Sequence, residues 1–199
     1  LNPNKLHAYK FSEDLFLRNS IVTDGKNHGF VMFIDWSGSM APNMEHTINQ
    51  LMLLALFCKK AQIPFDCFAF SNYYTREGEE RKGLRGLYYG PSKHGDLLIP
   101  TAFRLLHLIS STVSTANFNK SMVYLTYIQM AMQGRWANRP DDAAVELPHP
   151  LSLGGTPLNE AIIAAMEIVP MFQKKNNVQI VNTIFLTDGE GTPMRGKWD

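Results

Sequence analysis

The segment that most restricts the fold is Phe30-Val31-Met32-Phe33-Ile34, an unbroken apolar run that stops at Asp35-Trp36-Ser37-Gly38-Ser39. A strand with one face in water alternates apolar and polar residues, so a run without alternation is expected in a parallel sheet covered on both faces. A parallel neighbour requires a crossover, which a helix normally supplies. Residues 42–61 fit that role. Ile48, Leu51, Met52, Ala55 and Leu56 keep helical spacing, while Leu54, Phe57 and Cys58 widen the stripe and predict a deeply buried helix.

The pattern recurs along the chain. Pro64 opens a second strand at 65–70, and a last strand covers 178–187. Helical patterns occupy 102–114 and 120–132, and a helix beginning at Pro157 is expected to bend or stop near Pro170. Residues 71–100 are charged and glycine-rich and read as an exposed excursion, with Leu87-Tyr88-Tyr89 as the remnant of an edge strand. Residues 133–155 read as an irregular loop, and 1–27 as an N-terminal extension containing the turn Asp24-Gly25-Lys26-Asn27. This alternation predicts an α/β fold, Rossmann-like and doubly wound, with a mostly parallel sheet flanked by helices and ligands at the carboxyl ends of its strands. With 199 residues, 45% of them hydrophobic, the chain supports one such domain at 28–199 and no second full one.

Net charge of +1 gives no general attraction to nucleic acid or to an anionic membrane, so neither is an expected partner. No apolar run approaches the ~20 residues that span a bilayer, and Leu1-Asn2-Pro3-Asn4-Lys5 has no signal-peptide character. The expected location is the cytoplasm. Cys58 and Cys67 lie among apolar neighbours and read as buried free thiols.

Chemistry concentrates at three places. Asp35, Ser37 and Ser39 form a cluster of oxygen side chains at a strand end, which suits a hard cation such as Mg²⁺ that takes near-octahedral oxygen coordination and keeps several waters. Gly154-Gly155-Thr156-Pro157 offers a hydroxyl at the mouth of a helix, and Thr187-Asp188-Gly189 a carboxylate at the end of another strand. Each also has a local reading: the serines as helix caps, Thr156-Pro157 as an N-cap and first-turn pair, Asp188-Gly189 as a turn. Together and in this order, the three motifs resemble the metal-ion-dependent adhesion site of von Willebrand factor A (vWA) domains, over most of residues 28–190.

The resemblance implies that Ser37 and Ser39 bind the metal directly, that Asp35 and Asp188 act largely through bound waters, and that Thr156 joins when a ligand engages. The cation is Mg²⁺, with Mn²⁺ or Ca²⁺ as alternatives, and its sixth position takes an Asp or Glu carboxylate from a protein partner. Trp36, Arg135, Trp136, Arg139 and Glu190 are candidate partner contacts, although Trp136 reads equally as a hydrophobic plug beneath its loop. Asp-Trp-Ser-Gly-Ser-Met is most similar to vWA modules that work with MoxR- or CobS-like AAA+ ATPases. That narrower likeness implies a non-catalytic intracellular adaptor. The alternatives are a CobT-like subunit of a cobalt or magnesium chelatase, and a phage structural or assembly protein acting in the host cytoplasm. The family topology places the last strand beside the first and continues with two further strands after Asp188, without which that strand is an open edge.

Other patterns carry less. Gly191 to Lys197 matches the start of a phosphate-binding loop, but Trp198 stands where a Ser or Thr should bind Mg²⁺ and no helix follows. The cysteines and histidines lack zinc-ligand spacing, and His46 and His107 fall within helical patterns without a paired nucleophile. Arg81, Lys82, Arg85 and Lys93 read as part of a solvated loop, or alternatively as a basic docking surface.

Overall fold

The apolar run becomes β1 (His28–Asp35) in the computed structural model, which describes residues 27–72, 93–100, 102–136, 147–148 and 151–196. β1 is hydrogen-bonded on both sides, to parallel β2 (Phe65–Asn72) and to parallel β5 (Ile180–Leu186). β4 (Phe103–Ser110) adds to β2 in the antiparallel sense, so the mixed open sheet has the order β4-β2-β1-β5. Two short strands, β3 (Leu97–Leu98) and β6 (Arg195–Gly196), pair with each other away from it.

The period of two along β1 explains why its sequence shows no alternation. Met32, Ile34 and Trp36 enter one core with α1 (Ala41–Lys60) and α2 (Thr115–Trp136), while Val31 and Phe33 enter another with α3 (Leu158–Asn176). Both faces are dry, so both sets are apolar. On the α3 side, rings stack across the sheet: Phe185 on Phe33 at 4.8 Å, Phe33 on Phe68 at 5.6 Å, and Phe68 on His107 at 4.7 Å between centroids. Helices on both faces of an open α/β sheet are the architecture expected from the sequence.

Three local expectations are corrected. Residues 103–110 form a strand and not a helix. Leu106 and Leu108 pack into the α1–α2 core while Phe103 and Leu105 pack toward α3, so an apolar run serving two faces imitated a helical stripe. α1 is buried along one face only. Met44, Ile48, Leu51, Ala55 and Cys58 line it, whereas Leu53, Leu56 and Phe57 are 62%, 49% and 60% exposed. α3 runs through Pro170 to Asn176 and ends on a left-handed Asn177. Pro170 is exposed, so the Met166 carbonyl that loses its helical donor lies on the solvent side of the helix.

α2 also absorbs residues 133–136 of the expected loop, so Trp136 is its last residue. Asn27, the last residue of the expected turn, anchors the entry to β1: its carbonyl accepts from the Gln179 and Ile180 N–H groups. Residues 1–26 and the Leu87-Tyr88-Tyr89 expectation lie outside the described residues. Both cysteines are free and buried, and burial pushes the Cys67 thiol far up. β5 is one edge of the sheet among the described residues, and β4 is the other. No helix among them is long and apolar enough to cross a membrane.

Phe33 is fully buried between two stacked rings, so Phe33→Ala should cost about 3–5 kcal/mol of stability in urea unfolding. A cost below about 1 kcal/mol would contradict the packing described.

Candidate metal centre

Parallel strands bring their carboxyl ends to the same end of the sheet, which sets Asp35 of β1 opposite Phe70 of β2. The chain then leaves β1 under tight control. The Trp36 N–H donates to the Phe70 carbonyl (2.9 Å), and the Trp36 carbonyl accepts from the Ser71 hydroxyl (3.0 Å) and from the Gly154 N–H (3.0 Å). The Gly38 N–H returns a bond to the Gly154 carbonyl at 3.0 Å. Segments 36–38, 70–72 and 154–155 are thereby joined, with Asn72 bridged to Gly155 as well. A Cβ on Gly154 would run into the Asn72 carbonyl and lie 2.6 Å from the Ser71 hydroxyl, so only glycine permits this approach.

Trp36 requires a correction. Expected as a partner contact, its side chain is fully buried and its indole N–H donates to the Leu151 carbonyl at 2.9 Å. It anchors the loop from beneath and reaches no surface. The indole's large apolar area fits the α1–α2 core, and its one polar atom finds a partner there.

Above this base sits a connected set of side-chain oxygens. Ser37 Oγ and Ser39 Oγ are 3.0 Å apart, and Ser39 donates to Asp188 Oδ1 at 3.1 Å. Thr187 donates to Asp35 Oδ2 at 2.8 Å. Asp35 and Ser37 form a buried floor, while Gly38, Ser39 and Asp188 are exposed at the mouth. The helix-cap readings do not hold. Met40 is the N-cap of α1 and Pro157 that of α3, and neither helix start has a side-chain cap. Thr156 acts through its carbonyl, which accepts from Leu158 N–H (2.9 Å) and Thr192 N–H (2.7 Å). Its hydroxyl makes no hydrogen bond among the described residues.

The electrostatics of this set are unfavourable as they stand. Burial pushes the Asp35 carboxyl up, the Thr187 hydroxyl and Ser37 pull it back, and the charge of Asp188 pushes it up again. None of these groups is cationic. Asp35 Oδ1 is buried and has no partner. Only two other buried side-chain oxygens among the described residues are likewise unpaired: Asn72 Oδ1 at the end of β2 and Glu160 Oε2 in the first turn of α3, following Thr156. Burial also pushes the Glu160 carboxyl up. A buried carboxylate without a counter-charge is costly, and a cation at this place would offset the cost.

The donor set fits Mg²⁺. Ligands at roughly 2.0–2.1 Å in an octahedron put adjacent oxygens roughly 3 Å apart, which is the spacing of the two serine hydroxyls. Among the described residues no three His, Cys, Asp or Glu side chains gather. The cluster depends instead on hydroxyls with two carboxylates, a set that suits a hard ion better than zinc.

Among the remaining candidates, Glu190 is exposed just beyond Asp188. Arg135 and Trp136 close α2, but their side chains and all of Arg139 lie outside the described residues, as do Arg81, Lys82 and Arg85. Lys93 is exposed, its N–H bound to Asp96. His107 is placed by β4 rather than by a helix, stacked on Phe68 with Nε2 3.3 Å from Asp66. Of the phosphate-loop look-alike, residues 191–194 have no regular structure and Arg195–Gly196 form β6, while Lys197 and Trp198 lie outside the described residues. Ser71, Asn72 and the hydroxyl of Thr187 were not singled out from the sequence; the strand end Ser71-Asn72 had been read as the start of the excursion.

Comparison with protein-family models, with curated proteins and with solved structures finds no match to this chain.

The approach of Gly154 to Asn72 is the steric test of the arrangement. Gly154→Ala should destabilise the protein by about 1–3 kcal/mol in thermal or urea unfolding, whereas Gly38→Ala, which meets only open space, should change stability by less than about 0.5 kcal/mol. Equal effects from the two variants would contradict the packing of 154 against β2.

Proposed function

We propose that this chain is a divalent-cation-dependent protein-binding module of the vWA type, with an adhesion site built on Asp35, Ser37, Ser39, Thr156 and Asp188. The observation that carries this reading is the joining of three distant segments at one end of the sheet. Two hydroxyls 3.0 Å apart lie there between two carboxylates, and one carboxylate oxygen is buried without a partner. A structural turn has no need of that oxygen.

In this reading Ser37 and Ser39 hold Mg²⁺ directly through lone pairs left free of helix capping. Asp35 and Asp188 supply negative charge from either side, acting largely through waters, and Thr187 fixes the orientation of the Asp35 carboxylate. Thr156 contributes from the third segment, where its hydroxyl is uncommitted. When bound, the cation offers a positive charge to an acidic group on a partner. The exposed side at Gly38, Ser39 and Asp188 is where a partner's Asp or Glu carboxylate would arrive, and that contact is strong because it is charge-assisted. Mn²⁺ or Ca²⁺ can take the same oxygen set.

The reading is one of binding and not of bond-making. Among the described residues no His, Cys or Lys side chain is a cause of the Asp35 shift, and the side chains that the hydroxyls of the cluster meet are carboxylates and one another, with no imidazole to relay a proton. Its broader setting is an intracellular adaptor that presents a client to an AAA+ ATPase of the MoxR type. Support for that setting comes from the form of the Asp-Trp-Ser-Gly-Ser-Met loop alone.

Replacing Ser37 and Ser39 together with Ala should abolish Mg²⁺ binding measured by calorimetry while leaving the fold intact by circular dichroism, because β1 and α1 are untouched. Unchanged affinity in the double variant would remove the cation from this site.

A further inference from the structure

Asn72 has no part in the adhesion-site pattern, yet it has the features of a residue that serves the site. It is 8% exposed at the carboxyl end of β2, and its side-chain oxygen is buried without a hydrogen-bond partner. A neutral amide oxygen kept dry and unpaired lowers stability, a cost that an apolar side chain of the same size would avoid. Its place makes that cost meaningful. Asn72 forms an antiparallel bridge with Gly155, and its carbonyl is the group that Gly154 approaches. Asn72 Nδ2 and Cβ lie 3.7 and 3.8 Å from the point where a Gly155 Cβ would stand, with Thr192 Oγ1 4.0 Å from the same point. Asn72 and Thr192 thus border the residue that precedes Thr156, and the Thr192 N–H is itself bound to the Thr156 carbonyl at 2.7 Å.

We propose that Asn72 is a positioning residue for the cation site, its buried side-chain oxygen accepting a hydrogen bond from a cation-bound water and so holding Gly155-Thr156 in the loaded arrangement. The inference rests on the cation reading of the site. Outer groups of this kind hold water and ligand in place, and their loss weakens metal binding about 10–100-fold. The buried, unpaired Asn72 oxygen is then the acceptor that a cation-bound water would satisfy.

The test compares wild-type protein with Asn72→Leu and Asn72→Asp, using Mg²⁺ titration by calorimetry and thermal unfolding in EDTA. Asn72→Leu should bind Mg²⁺ about tenfold or more weakly, yet unfold in EDTA at or above the wild-type temperature, because it removes an unpaired polar group. Asn72→Asp keeps an oxygen at the same place and should bind at least as tightly as wild type. A structural brace would give the reverse result, with Asn72→Leu less stable or unfolded in EDTA, and that result overturns the proposal. Wild-type binding with undiminished affinity in Asn72→Leu overturns the role of Asn72 alone. No Mg²⁺ binding by the wild type removes the cation reading and this inference with it.

Discussion

At the point where β1 leaves the sheet, the Trp36 carbonyl accepts one hydrogen bond from the Ser71 side chain and another from the Gly154 backbone, and this shared acceptor ties together three segments far apart in sequence. Each bond contributes only about 0.5–1.5 kcal/mol net. Their geometric effect is larger. The buried indole fixes the carbonyl from below through Leu151, and the missing side chain of Gly154 lets the third segment come close enough to donate. Ser37, Ser39 and Thr156 are displayed by these segments, so their placement follows from backbone pairing and not from contacts among the side chains themselves.

That division of labour explains what the sequence disclosed. The run from Phe30 to Ile34 reported a doubly covered parallel strand, and its partners, read at 65–70 and 178–187, were legible for the same reason. β4 was not. Its side chains face two separate cores, so Phe103, Leu105, Leu106 and Leu108 produced an apolar density that a helix also produces. The stop expected as one outcome at Pro170 does not occur, because a proline on the exposed side of a helix needs no break when water can take the freed carbonyl.

At the site, Asp35, Ser37, Ser39 and Asp188 were legible because oxygen side chains at a strand end have few structural reasons to occur together. Trp36 was misread as a surface contact, since nothing local distinguishes an exposed tryptophan from one whose indole meets a carbonyl 115 residues away. The contributions of Ser71, Asn72 and Thr187 depend on which strands lie side by side, information that spacing along one chain does not hold. Only the topology β4-β2-β1-β5 brings the end of β2 beside the loop after β1.

The buried carboxyl of Asp35 has no counter-charge among the described residues, and in the proposed function a divalent cation would supply it. Because burial raises its folded-state pKa above the ordinary 3.8, the metal-free fold binds more protons than the unfolded chain above that value, and its stability falls as pH rises through the window up to the raised folded pKa. Glu160, raised from 4.5, acts in the same direction. A Mg²⁺ ion bound as proposed would displace the Asp35 proton, so its benefit would grow with pH, reaching about 2.7 kcal/mol at a concentration 100 times Kd. The decisive measurement is thermal unfolding across pH 4 to 8 in EDTA and in excess Mg²⁺. Excess Mg²⁺ should raise Tm at neutral pH, and the rise should shrink as the pH falls toward 4, because the raised Asp35 carboxyl takes up its proton above the ordinary carboxylate value. A Tm indifferent to Mg²⁺ at neutral pH would contradict the cation reading.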